Sequence, residues 1–196
     1  MVAGSTEARR TEPRSGGSYL LVLESLTPER QRALRDLLAQ VYARAYAALP
    51  EYAYTEEKAI HRYLTWLARR TTRGGFFVAF SSLGPVGFLA ADPAWRDEET
   101  GETNGEIHEF VVDPAYQGGG VGRSLFSAGL AYLRDAGHAK VGLWVGVHND
   151  RAKAFYAKNG FVPGAVRGKW LRMYRWEPEA VYPDTHLVEV PARGKV

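Results

Sequence analysis

The apolar positions of this chain change period several times, and each change predicts a new element. Residues 18–25 alternate as a strand, and Thr27 then Pro28 supply an N-cap and a first helical residue. Leu34, Leu37, Leu38, Val41, Tyr42 and Ala45 recur at helical spacing, predicting an apolar stripe that ends near Leu49 and Pro50. From about Thr55, with Glu56 and Glu57 in the first turn, Ile60, Tyr63, Leu64 and Leu67 predict a second helix to Arg70. Gly74 and Gly75 separate this helical part from strands. Residues 76–81 and 85–91, joined by Ser82, Leu83 and Gly84, read as a hairpin. Residues 92–104 read as a polar loop and 105–112 as the next strand. A long helix over 121–136 stops at Gly137, followed by a strand at 140–147 and a short helix at 150–159. Residues 161–166 and 169–176 close the pattern as a hairpin.

The order is β-α-α-β-β-β-α-β-α-β-β, which predicts an α/β chain: a central mixed sheet with helices on both faces. Residues 1–17, rich in Ser, Gly, Arg, Thr and Glu, read as a disordered tail. Residues 18–177 read as the folded domain and 178–196 as an extension, in which 186–190 fits one added edge strand.

Composition narrows the function classes. With 196 residues, 45% of them hydrophobic and 24% charged, one globular domain is expected. The absence of cysteine excludes disulfides, thiolate metal sites and a Cys nucleophile, and fits a reducing cytoplasm. No metal is expected. No apolar run approaches the ~18 residues of a membrane span, and the N-terminus lacks the apolar core of a secretory leader. A cytoplasmic protein without a membrane partner is therefore expected. The net charge is only +3, and acids lie among the bases, unlike the contiguous basic face of a nucleic-acid binder. Arg167, Lys169, Arg172 and Arg175 are the one exception, either a solvated hairpin edge or a contact for a ligand phosphate.

The densest chemical signal is Gln117-Gly118-Gly119-Gly120-Val121-Gly122-Arg123, lying between a strand that ends Val112-Asp113-Pro114 and a helix that begins near Ser124. Glycines let main-chain amides approach a ligand closely, and at a helix start such amides bind anions, phosphate above all. A plain strand-to-helix turn needs one glycine, not four within five residues. A Walker-type loop needs Lys-Ser/Thr after its last Gly, where this chain has Arg123-Ser124. A dinucleotide fingerprint needs a third Gly where Arg123 stands. The spacing that fits is Gln-x-x-Gly-x-Gly, with Gln117, Gly120 and Gly122.

This loop and its flanks resemble the coenzyme A pyrophosphate loop of the GNAT N-acetyltransferase superfamily. A second segment agrees: Asn149, then Ala152, Phe155 and Tyr156 on one helical face, then Gly160-Phe161. The resemblance covers residues 76–176. It implies the GNAT fold and transfer of an acyl group, usually acetyl, from coenzyme A to a primary amine of a small molecule or peptide. The implied cofactor contacts are the main chain of Phe110, Val111 and Val112 for the pantetheine arm, with a Val111 or Val112 amide polarising the thioester carbonyl. Gln117, Gly118, Gly119, Gly120, Val121, Gly122, Arg123 and Ser124 take the pyrophosphate, and Asn149 and Tyr156 complete the set. Family members splay the strand at 140–147 away to make room for the arm. A domain that kept the loop and lost the chemistry would be an acyl-CoA sensor, but such a binder needs no Tyr156, Glu106 or His108.

An alkylamine with a pKa near 10.4 is neutral in only about one molecule in 2,500 at pH 7, so a base or desolvation has to supply roughly 4.6 kcal/mol. The candidates are Glu106, His108 and Glu109. Strand alternation puts Glu106 and His108 on one face and Glu109 on the other, unless a bulge swings Glu109 in. Tyr156 matches the phenol that many GNATs use to protonate the leaving thiolate. Tyr52, Tyr54 and Trp95 are expected around the acceptor, either holding a cationic or aromatic amine or packing. An unpaired edge in the closing hairpin leaves room for a homodimer.

Overall fold

The computed structural model describes residues 21–71, 74–98 and 100–176. Its strands are β1 (Val22–Ser25), β2 (Phe76–Ser81), β3 (Gly84–Arg96), β4 (Thr103–Val112), β5 (Lys140–Gly146), β6 (Val162–Arg167) and β7 (Trp170–Trp176). The helices are α1 (Pro28–Ala33), α2 (Arg35–Ala45), α3 (Glu57–Arg70), α4 (Val121–Asp135) and α5 (Asp150–Lys158). Short 3-10 turns lie at Pro50–Tyr52 and Pro114–Tyr116. The tail at 1–17, the predicted strand residues 18–20, and the extension with 186–190 lie outside the described residues.

All seven strands form one mixed sheet in the order β1-β2-β3-β4-β5-β7-β6. Its middle is apolar on both sides: Phe88 and Ala90 of β3 pack beneath α2 and α3, and Leu89 and Ala91 beneath α4. A strand buried on two faces has to be covered twice, which explains helices on both sides of the sheet.

Three expectations give way. The first helix is two, because Leu34 leaves helical geometry and its amide bonds back to Arg30. Leu37, expected in the stripe, is 44% exposed, while Gln31 is buried. The expected polar loop at 92–104 is mostly strand: β3 runs on to Arg96 and β4 begins at Thr103. Asp92, Asp97 and Asn104 are polar yet buried, because His108, Arg172 and Tyr174 supply distant partners.

The alternation expected along β4 also fails, for a local reason. Glu109 pairs with Ala90 and Ile107 with Ala91, so His108 is an extra residue with no partner across the ladder. That bulge keeps Glu109 on the face of Glu106 and His108, and sends Phe110 to the opposite face against Phe126 and Phe155.

The same strand opens the sheet. β4 and β5 run parallel and pair only at Gly105–Val141, Glu106–Gly142 and Ile107–Leu143. β5 stays paired with β7 from Lys140 to Gly146. Beyond Ile107 the two strands diverge, and a cleft of about 1150 Å³ fills the fork.

Candidate active site

At one end of the cleft is the glycine loop. Gly118 and Gly120 have φ of +86° and +88°, a region that side-chain-bearing residues rarely enter. Gly120 is the N-cap of α4 and offers no side chain, so the first-turn amides of Val121, Gly122 and Arg123 have no side-chain cap among the described residues. A Cβ on Gly118 or Gly120 would meet nothing within 4 Å, so the space in front of the loop is open. Arg123 and Arg151 stand beside it. Ser124, expected among the amide donors, instead bonds Gly120 C=O at 3.0 Å. Val121 is a core residue. Gln117 turns back to β4, its Nε2 donating to Val112 C=O at 2.9 Å. Gly122 brings α4 close to Phe110 and Val112, and Gly119 lies outside the cleft lining.

The middle of the cleft holds Glu109, only 7% exposed. Its Oε1 accepts from the Tyr46 hydroxyl and from the Phe110 amide, both at 3.0 Å. Burial pushes the carboxyl up to about 7, although hydrogen bonds from Tyr46, the Phe110 amide and Tyr63 act in the opposite sense. A carboxyl so placed changes charge near neutrality. Across the cleft, Tyr156 is buried among Phe110, Phe126 and Phe161, and burial with the charge of Glu109 raises its phenol above the usual range. Its hydroxyl has no hydrogen-bond partner among the described residues and opens on the cleft.

Glu106 and His108 share that face with Glu109 but are already engaged. Both Glu106 oxygens bind the Arg172 guanidinium, Oε2 at 2.8 Å, and Arg172 also donates to Asp97 at 2.9 Å. Burial works against the Arg172 charge, but the hydrogen bonds and charge of Glu106 outweigh it and hold the guanidinium above its usual value. Gly142 makes this pair fit, since a Cβ there would come within 2.3 Å of Arg172. His108 Nε2 lies 3.0 Å from Asp92 Oδ2, with the ring edge-on to Trp66 and Trp95.

Residues 33–161 match the acetyltransferase (GNAT) family. The chain belongs to that family. It is 37% identical over 140 residues to an uncharacterized N-acetyltransferase of Methanocaldococcus jannaschii, a stretch that covers 71% of this chain and 62% of that protein. The chain thus spans less than two thirds of that relative. A crystal structure from Pyrococcus horikoshii OT3 aligns with a TM-score of 0.73 and 34% identity, over 81% of this chain and 99% of the other. An N-acetyltransferase of Thermoplasma acidophilum, solved in complex with coenzyme A, shares the fold at a TM-score of 0.64 and 18% identity, over 81% and 99%.

On this GNAT fold the remaining candidates divide by contact. Asn149 caps α5, its Oδ1 accepting from the Ala152 amide at 3.2 Å, and also lines the cleft. Tyr52 is a packing residue as well as a wall: its ring fills the space over Gly146 and its hydroxyl accepts from the His148 amide at 3.0 Å. Tyr54 and Trp95 line the same end, Tyr54 against Tyr63 and Trp95 beside His108 and the Arg70 guanidinium. Of the basic cluster, Arg167 reaches Glu98 at 3.4 Å, Lys169 donates to Glu51 C=O, and Arg172 is wholly internal. Sequence reasoning missed Tyr46 and Tyr63 as neighbours of Glu109. Tyr63 stood in an apolar stripe, and Tyr46, one position beyond Ala45, carried no signal that a carboxylate lies above it.

Proposed function

We propose that this GNAT chain transfers an acetyl group from acetyl-CoA directly to a primary amine of a small molecule or peptide. Glu109 takes the amine's proton, and Tyr156 gives one to the departing thiolate. The observation that carries this reading is the fork, where a buried carboxyl and a phenol with no hydrogen-bond partner among the described residues line one cleft beside a strand edge unpaired with β5. The N-acetyltransferase name of the M. jannaschii relative supports it, as does the coenzyme A complex of the T. acidophilum fold neighbour.

The free cleft fits the coenzyme on its own features. Uncapped amides and open space lie at the loop, Arg123 and Arg151 stand nearby, and the β4 edge from His108 to Val112 has no ladder partner in β5. Acetyl-CoA, when bound, supplies an acyl carbon activated as a thioester. The chain does the rest with few groups. The amides of the α4 first turn hold phosphate oxygens, and the main chain of Phe110 to Val112 offers strand-like pairing to an amide-bearing arm. Among the three β4 candidates, only Glu109 has no charged partner among the described residues: its donors are the Tyr46 and Tyr63 hydroxyls and the Phe110 amide. Tyr42, Tyr46, Tyr54, Tyr63 and Trp95 wall the acceptor end with aromatic faces suited to an organic ammonium.

Release of free thiol from acetyl-CoA, followed across polyamines, amino acids, aminoglycosides and peptide N-termini, tests the reading. No amine-dependent thiol from any class would leave an acyl-CoA binder. Tyr156→Phe is expected to lower kcat by about 10²–10⁴-fold while the coenzyme A Kd stays within a few-fold, because only the proton donor is lost. Unchanged turnover, with acyl transfer shown to limit the rate, would make Tyr156 a core residue.

A further inference from the structure

Glu109 is unusual in how it is held. Its two close hydrogen bonds both fall on Oε1, one from its own strand and one from the Tyr46 hydroxyl at the end of α2. The main-chain bond cannot orient the carboxylate by itself, since the plane can still turn about a single shared axis. Tyr46 supplies a second direction on Oε1, while Tyr63 also hydrogen-bonds the carboxyl; the Tyr46 ring is fixed in turn against Tyr42, with centroids 4.8 Å apart. Tyr42 is tied down by the Tyr54 amide, which donates to its hydroxyl at 3.1 Å. Helix α2 is anchored beside this point by the ion pair of Arg44 with Asp113, the residue that leads β4 into the glycine loop.

We infer that Tyr46 is the positioning residue of the Glu109 base: its hydroxyl fixes Oε1 and so leaves Oε2 facing the acceptor amine. This rests on the proposal that Glu109 accepts the amine's proton. The Tyr46 ring lines the acceptor end of the cleft, but its hydroxyl is spent on Glu109. It acts through the carboxylate, by turning it and by stabilising its charged form.

The second effect has a definite sign. A donor to the carboxylate favours the ionised state, so its loss disfavours it, and Glu109 then ionises at higher pH. The other titratable groups facing Glu109 are Tyr42 on α2, Tyr63 on α3 and Tyr156 on α5, all phenols raised by burial and by Glu109 itself. His108, next along β4, directs its Nε2 to Asp92. None of the three phenols ionises near neutrality, so the acidic limb of the rate profile reports on Glu109.

The experiment is the pH dependence of kcat/KM with one good amine for the parent, Tyr46→Phe and Glu109→Gln. In Tyr46→Phe the acidic limb moves up by about one pH unit, because a hydrogen bond to a charged group is lost. The rate at high pH recovers most of the parental value. A limb that stays in place while the rate drops equally at every pH would overturn the inference and leave Tyr46 a packing residue. If Tyr46→Phe folds poorly, 3-fluorotyrosine installed at position 46 keeps the shape and strengthens the donor, so the limb moves down instead. An unmoved limb in that variant would overturn the inference equally. Glu109→Gln separates the two readings: if it retains the parental limb, the base assignment fails, whatever Tyr46 does.

Discussion

Glu109→Gln lowers kcat/KM by about 10²–10⁴-fold at pH 7, the range expected for a lost general base, and the defect shrinks as the pH rises. At pH 7 only about one alkylamine molecule in 2,500 is neutral, so the protein has to remove the proton. With its carboxyl raised to about 7, Glu109 is protonated and idle below that pH and ionised above it, so the parental rate climbs through this point. The glutamine variant keeps only the titration of the amine itself, and near the amine's pKa solvent does the same work. His108→Ala has a smaller effect, because its Nε2 is engaged with Asp92 and its ring packs edge-on against Trp66. A pH profile of kcat/KM for the three proteins checks this. Parental rates in Glu109→Gln at every pH would mean that transfer runs on desolvation and positioning alone.

Gly120→Val removes measurable coenzyme A binding without unfolding the domain. At φ +88° a β-branched residue stores roughly 1–3 kcal/mol of strain, and the loop can relax only by turning its amides away from the ligand. If it does not relax, the valine methyl groups occupy the open space in front of the helix start. Gly118→Val follows the same logic, whereas a side chain at Gly122 meets the Phe110 ring at 3.3 Å and so disturbs packing as well. Calorimetry gives the Kd, and a melting curve shows whether the fold survives. A folded variant with the parental Kd would remove the loop from the coenzyme site.

What could be read from the residues follows how local each cause is. The glycine loop depends on neighbours within a few positions, and the left-handed Gly120 at the start of α4 stands where the motif spacing put it. The apolar periods likewise carried most of the order of elements along the chain, because each period is set by residues close in sequence. Residues 92–104 misled because aspartate, proline and asparagine favour loops locally. Their burial is repaid by partners far along the chain, such as Arg172, 75 positions from Asp97. Glu106 has the same history: alone it reads as a base, and only Arg172, 66 positions away, makes it an internal ion pair. The facing of Glu109 turned on a single inserted residue, the bulge that the sequence left open. Period-two reasoning is correct on either side of His108 and wrong across it.

The buried pair of Glu106 with Arg172 has a mechanical consequence. Glu106 stands on β4 and Arg172 on β7, so the pair fastens the two arms of the sheet at the point where their ladder ends. The arms are therefore pinned to each other at the fulcrum and unpaired with each other at the tips. From Ile107 to Val112 the arm is about 16 Å long at strand rise, so a turn of about 4° at the pin moves its tip by about 1 Å. Small rotations, rather than any rebuilding of the loop or of Glu109, are then expected to set how bulky an acyl group the tips admit. Crystals grown with acetyl and longer acyl donors would show the tips separating while the Glu106–Arg172 contact keeps its length; a contact that lengthens with the tips would mean the sheet has no such pivot.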